Sequence, residues 1–185
     1  MSDNSIPEVV FNPDAGVRIF PRPQHKQAVL VSIPTTSDEN VLPTFIKPEW
    51  DGVQVFYGDY YAIIVDGRVV YGSAKDQWEN MHTRVADQTD RWIKTAVPKA
   101  YMASEPCRIV TLIPGRGGGE VRETNYNLNP GDWIVRQPGG EIQHIKADYF
   151  PAIYFSDEEA KEAGLPEMSD AEFANWAIAQ ALVSA

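Results

Sequence analysis

The sequence predicts an α+β fold: two related small antiparallel β units with short helices, followed by a C-terminal helical extension. Three observations lead there. Apolar, β-branched runs such as AVLVSIP, YYAIIV and CRIVTLIP alternate with Gly, Pro and Asp-Gly turn signals. After Tyr154 the character changes to two serine-led segments, SDEE and SDAE, each with the spacing of a helix capping box. In addition, a stretch of the first half recurs in outline in the second.

Taken in order, residues 1–26 carry prolines at 7, 13, 21 and 23 and read as an extended arm with one edge strand around Val17 to Phe20. Residues 27–82 form the first β unit. In it AVLVSIP is a strand, TTSDEN an exposed loop, and VQVFYGDYYAIIV and DGRVVYG strands punctuated by Gly58 and Asp66-Gly67. SAKDQWENMH then reads as a short helix capped near Ser73 and Asp76, with Trp78 and Met81 on one face. Residues 83–105 read as a connector with a helical turn through Asp90 to Thr95, ended near Pro98.

Residues 106–155 form the second unit, with CRIVTLIP and EVRETNYNL as strands around a GRGGG turn, and NPGDWIVRQPGGEIQHIK as a turn and hairpin. In 156–185, Ser156 and Ser169 are candidate N-caps of two helices. The first ends at Gly164, and the second buries a stripe of Phe173, Trp176, Ala177 and Leu182. A β unit of about 50 residues is too small to be comfortable alone, so one compact bilobed domain is expected.

Shifting the chain by 73 positions lays Gly58 on Gly131, Asp59 on Asp132, Gly67 on Gly140 and Ala74 on Ala147. Tyr60 then meets Trp133, Val69 meets Ile142, and AVLVSIP matches RIVTLIP at a shift of 80. Internal duplication and convergent hairpin chemistry both account for this pattern.

Composition excludes several function classes. Sixteen basic against 26 acidic residues give a net charge of -10 and no basic run, so nucleic acid is not an expected partner. The single cysteine, Cys107, rules out a disulfide framework within the chain and reads as a small core residue at a strand start. His25, His82 and His144 are never at metal-ligand spacing, so no metal is expected. The GRGGG loop lacks a following GK[ST] and leads into a strand rather than a helix, so no nucleotide cofactor is expected either. A secretory signal pattern and an apolar run of about 20 residues are both missing, and the expectation is a cytoplasmic protein without a membrane span.

Two groups of residues stand out. IPGRGGGEVRETN reads as a flexible hairpin tip, with the alternative that its backbone N–H groups, helped by Arg116 and Arg122, hold an anion. His144 and Lys146 form a polar cluster with Glu123 and Asn125 if the RETN strand lies beside EIQHIK. Strand alternation puts Glu141 on the opposite face from His144, which reads as a surface histidine, with a cross-strand partner such as Glu123 left open. These six residues are the candidate ligand-binding set; no catalytic residue is assigned. Asp59, Asp132, Gly131 and Gly140 are assigned to turns, where Gly supplies positive φ and Asp accepts backbone N–H bonds. Trp78, Trp133 and Phe150 are assigned to the core. Arg136, opposite Ile63 in the repeat, is specific to the second half.

The stretch RETNYNLNPGDWIVRQPGGEIQHIKADYFPAIY resembles the bacterial and phage proteins grouped as the PGDYG family. The resemblance rests on Glu123, Thr124 and Asn125, on Pro130 to Val135, on Gly139, Gly140 and Glu141, and on Phe150 and Tyr154. Trp133 and Ile134 stand where the family name has Tyr and Gly. The resemblance implies a small, mostly β module over about residues 122–154 and brings no activity with it.

The functional expectation is a non-catalytic binding or accessory module that engages a protein partner or associates with itself. Two alternatives stay open: an enzyme or sensor for a small anionic ligand near the glycine-rich loop, and a structural subunit of a phage-related assembly.

Overall fold

A computed structural model describes residues 6–10, 12, 16–33, 44–48, 53–114 and 120–183, with 111–114 and 120–125 described by their backbone alone. The chain begins with β1 (Glu8–Val10), β2 (Val17–Arg18), β3 (His25–Val31), β4 (Thr44–Ile46) and β5 (Gln54–Phe56). Then come β6 (Tyr60–Val65), β7 (Arg68–Ala74), α1 (Lys75–Met81), β8 (His82–Arg84), β9 (Arg91–Lys94) and β10 (Lys99–Met102). The remainder is β11 (Cys107–Pro114), β12 (Glu120–Leu128), β13 (Trp133–Arg136), β14 (Ile142–Ile145), α2 (Phe150–Ile153), α3 (Asp157–Glu162), a 3-10 turn (Leu165–Glu167) and α4 (Asp170–Val183). The fold is α+β, mostly strand with short helices. It divides into two units: residues 22–96 with 168–185, called the first, and residues 1–21 with 97–167, called the second.

The first unit is an antiparallel sheet of order β7-β6-β3-β9-β8. β6 and β7 are joined at Asp66-Gly67, both at positive φ (49° and 74°), the geometry of a two-residue hairpin turn. Alternation along β6 sends Tyr61 and Ile63 to one face, where Trp78 of α1 and Trp92 pack over Ala28. Tyr60 and Ala62 go to the other face and meet Ile46 and Phe56 of the separate β4-β5 hairpin. α4 contacts β9 and buries Phe173, Ala177 and Ala181, a row at i, i+4, i+8.

The second unit has a sheet of order β14-β13-β10-β2 and a second one of order β1-β11-β12. Ile134 of β13 meets Cys107, Ile109 and Leu128 of the β11-β12 sheet. Val135 faces the other way, toward Ile19, Ala100, Phe150 and Tyr154, with Trp133 beside them. α3 begins with a complete capping box, in which Ser156 and Glu159 satisfy each other's backbone N–H. It is closed by Gly164 at φ +69°.

The two main sheets are built on the same plan. Ala28 pairs with Ile63 and Ala100 with Val135, partners that lie 72 positions apart in each case. Tyr61 opposite Ser73 recurs as Trp133 opposite Ile145. Over these strands Tyr61 lies 6.0 Å from the Trp78 ring and Trp133 4.1 Å from Phe150. Each helix ends in an extended residue, His82 or Tyr154, whose N–H donates to the carbonyl of that helix aromatic and whose ring packs on it. Even the next pairing repeats, His82 with Lys94 and Tyr154 with Pro21.

The fourth strand of each plan comes from an unexpected part of the chain. β2 leads into β3 in sequence but pairs with β10, and β9 leads into β10 but pairs with β3.

Several local expectations change. The helical turn at Asp90 to Thr95 is strand β9, because Trp92 and Ile93 are both buried between pairings to β3 and β8. The residues read as a connector therefore carry β9, β10 and most of β8. α1 has no side-chain cap: Ser73 belongs to β7 and Ala74 is the N-cap. VQVFYGDYYAIIV is broken at Gly58 into β5 and β6, which belong to different sheets. In α4, Ala181 rather than Leu182 continues the buried row, and Leu182 is 54% exposed. RIVTLIP is in the β11-β12 sheet, so the positional counterpart of AVLVSIP is KAYM of β10. The TTSDEN loop lies outside the described residues.

His82 carries a pH-dependent penalty. Its ring stacks on Trp78 at 3.7 Å and its Nδ1 donates to the Trp78 carbonyl at 3.2 Å, while the buried Nε2 has no partner. Burial first, then Lys26 and Lys94, push its pKa down to about 2. An unfolded chain protonates this histidine near pH 6.5 and the folded chain does not, so the unfolded state binds the extra proton as pH falls. This contribution to stability, complete above pH 6.5, declines by about 1.4 kcal/mol per pH unit on acidification. His82→Phe keeps the ring stack and removes the slope. Urea melts at pH 7 and pH 5 are expected to show the variant losing about 2 kcal/mol less than the parent.

Candidate functional site

The turn before β13 is organised around one carboxylate. Gly131 takes φ +91°, where a Cβ would also come within 3.2 Å of the Ala147 Cβ, so the position favours glycine. This turn delivers Asp132 into the interior, 5% exposed. Asp132 Oδ2 accepts from the Asn129 N–H at 3.0 Å and Oδ1 from the Ala147 N–H at 3.1 Å. His144 on β14 donates from Nε2 to the same Oδ2 at 3.1 Å. Burial alone would raise the Asp132 pKa, but the Asn129 amide, His144 and the Ala147 amide outweigh it and hold the carboxyl below its ordinary value.

His144 is 22% exposed in its side chain, and the Tyr126 ring lies 5.8 Å away. A carboxylate that orients an imidazole has the form of an acid–base pair. Here, however, the carboxylate spends its lone pairs on two backbone donors as well, which makes it a fastening between the turn, β14 and the segment after it. Asp59, its counterpart in the first unit, reaches the Ile33 N–H at 3.1 Å and the Ser32 hydroxyl at 3.5 Å.

The six ligand-binding candidates are not gathered by strand pairing. Arg116 lies outside the described residues. Arg122, Glu123 and Asn125 are on β12, which pairs with β11, not with β14. The premise that RETN lies beside EIQHIK is therefore corrected: the two strands belong to different sheets, and the partner of His144 is Asp132. Glu123 is the extra residue where the register shifts between Thr111 and Leu112, a β-bulge. Lys146 is exposed just beyond β14, and its carbonyl accepts the N–H groups of Tyr149 and Phe150. Gly140, at φ +91°, closes the β13-β14 turn by donating to the Gln137 carbonyl at 2.8 Å.

Two features went unread in the sequence. Arg136 belongs to a cross-strand row with Lys99 and Arg18, three cations side by side across β13, β10 and β2. The other is the outer face of the β4-β5 hairpin. Phe45 and Val55 are directly opposite each other and are 63% and 41% exposed; Val53 and Tyr57, two residues to either side of Val55, are 58% and 69% exposed. The alternation V-Q-V-F-Y was the available signal, since Gln54 and Phe56 are the inward pair.

Compared with protein-family models, curated proteins and solved structures, the chain matches none of them significantly. Among the described residues no helix is long and apolar enough to cross a membrane, and no group of His, Cys, Asp and Glu could hold a metal ion.

Removing the central carboxylate tests its role as a fastening. Asp132→Ala leaves three donors without an acceptor and is expected to cost about 1–3 kcal/mol in urea denaturation at pH 7. Because the folded carboxyl is held below its ordinary pKa, its contribution is complete above pH 3.8 and fades as pH falls further. The gap between parent and variant should therefore narrow in acid.

Proposed function

We propose that the protein is a non-catalytic binding module that engages a protein partner through the outer face of the β4-β5 hairpin. The observation that supports this reading is the exposed apolar pair Phe45 and Val55, directly opposite each other on the β4-β5 hairpin, with exposed Val53 and Tyr57 just beyond the two ends of β5.

The face is presented on a fixed mount. The Gly72 N–H donates to Gln54 Oε1 at 2.8 Å and Gln54 Nε2 donates to the Gly72 carbonyl at 3.1 Å, so one side chain satisfies a backbone pair on β7. The absence of a side chain at Gly72 allows this, because a Cβ there would meet the Phe56 ring at 2.6 Å. The proposed occupant is an extended apolar segment of another protein, added as a strand along the hairpin. The second unit offers a precedent within the chain: its β11-β12 hairpin accepts β1 as a parallel third strand, with Arg108 N–H bonded to the Pro7 carbonyl at 2.8 Å.

We infer further that the two units are copies of one β module, of which the PGDYG-like stretch of the second unit is part. The common sheet plan and the 72-residue spacing of paired residues support this. The spacing replaces the 73 obtained by aligning Gly-Asp turns, because one more residue, Tyr60, separates Asp59 from Tyr61 than separates Asp132 from Trp133.

Selection from a random-peptide display library tests the binding reading. Extended peptides with alternating apolar residues are expected, and Phe45→Asp or Tyr57→Asp should weaken them by about tenfold or more. Thermal stability should change little, because both positions are exposed. Failure to select any binder, or binders indifferent to both substitutions, would remove the proposal.

A further inference from the structure

We propose that the two halves of this chain are binding partners by reciprocal strand exchange, each giving the first strand of its own module to the sheet of the other. The plan shared by the two units identifies that strand. Gln27 opposite Arg91 in the first unit recurs as Lys99 opposite Arg18 in the second, and Lys94 opposite His82 recurs as Pro21 opposite Tyr154. Gln27 and Lys99 are 72 positions apart, whereas Arg18 and Arg91, like Pro21 and Lys94, are 73 apart. RWIK of β9 therefore matches RIFP, residues 18–21, each an exposed arginine followed by three buried residues. In chain order both copies run alike: β2 or β9, then β3 or β10, β6 or β13, β7 or β14, and the short helix. The pairing crosses between them, β2 with β10 and β9 with β3.

The links explain why neither first strand folds back on its own copy. Residues 19–24 carry Pro21 and Pro23, and residues 95–98 end in Pro98; neither link has a Gly or Asn for a hairpin turn. Proline also has no N–H to give to a hairpin ladder. Pro21 and Pro98 are instead fully buried, and the Ile19 N–H donates to the Pro98 carbonyl at 3.0 Å, so β2 is seated beside the start of β10. The surface recognised is the open edge of β3 in one half and of β10 in the other, and the ligand is an extended segment added as a strand. Each unit in consequence contains both halves of the chain. The front half supplies β1 and β2 to the second unit, and the back half supplies β9 and α4 to the first. The reading of the two units as copies serves here only to match β2 with β9. The hairpin face takes no part, so the peptide selection and the test below succeed or fail separately.

Cutting the folded full chain tests this. Residues 86–89 form an exposed turn between β8 and β9, and a protease site inserted between Asp87 and Gln88 divides the chain there. After cleavage the two pieces are expected to elute as one particle at about 1 μM and to separate only in urea. Refolded singly, neither should unfold cooperatively; remixed, they should recover the melting midpoint of the cut complex. Co-expression of residues 1–87 with 88–185 gives the same readout by co-purification, should the insertion itself prevent folding. Gln27→Cys with Arg91→Cys, exposed and directly opposed, should join the cut pieces by a disulfide that survives urea and is released by reductant. Arg18→Cys with Lys99→Cys should do the same through the second unit, and decides if the first pair fails to fold. The proposal is overturned if the pieces separate without denaturant, if either folds cooperatively alone, or if neither cysteine pair joins them.

Discussion

Both main sheets depend on a small residue at the centre of one face. Ala28 and Ala100 are 0% and 2% exposed, and each lies beneath the aromatic of a short helix. Helices of seven and four residues are far too short to be stable alone. They exist because Trp78 and Phe150 bury large flat rings on the sheet, and a longer side chain at either alanine would lift those rings away. The same demand explains the helix ends. Once the aromatic is seated, the chain must leave in an extended conformation, and the ring of the next aromatic, His82 or Tyr154, closes over the first.

Much of the local structure was legible, and the reasons are local. Ser156 and Ser169 announce their helices because a capping box is complete within four residues, and Gly164 ends α3 because φ +69° suits glycine. Strand β9 was not legible. RWIK is four residues with a charge at each end, and its burial comes from β3, more than sixty positions upstream by the Gln27 to Arg91 pairing. Nothing within the segment records that partner. The repeat illustrates the difference between letters and environment. Aligning identical Gly-Asp turns gives a spacing of 73, whereas the strands repeat at 72, because packing acts on the size and burial of Ala and Ile or Val rather than on identity.

For the candidate site, the distinction is between pairing and proximity in sequence. Asp132 and His144 flank a hairpin in which Trp133 faces Ile145 and Ile134 faces His144, so their contact follows once the register is known. The register in turn follows from Gly140 at positive φ. Glu123, the cross-strand partner that the sequence left open, lies on a strand of another sheet, and sheet membership is not written in any local pattern. The hairpin face was missed for the opposite reason: Phe45, Val53 and Val55 look like core residues in any composition-based reading, and only the inward pairing of Ile46, Gln54 and Phe56 turns them out.

The two units differ most where they should match. Tyr154 in the second unit has a hydroxyl within 3.4 Å of Gln137 Nε2. In the first unit the same place holds His82 with an orphaned nitrogen, near two lysines, where the other copy of the plan has Pro98 and Pro21. A buried polar atom without a partner costs stability in either unit: His82 Nε2 in the first, and Gln137 Oε1, beside Tyr154, in the second. The first unit holds four of the five such atoms among the described residues, on His25, Trp78, His82 and Trp92. The asymmetry is therefore one of polar satisfaction: on the same sheet plan, the first unit leaves more buried polar atoms without a partner than the second does among the described residues.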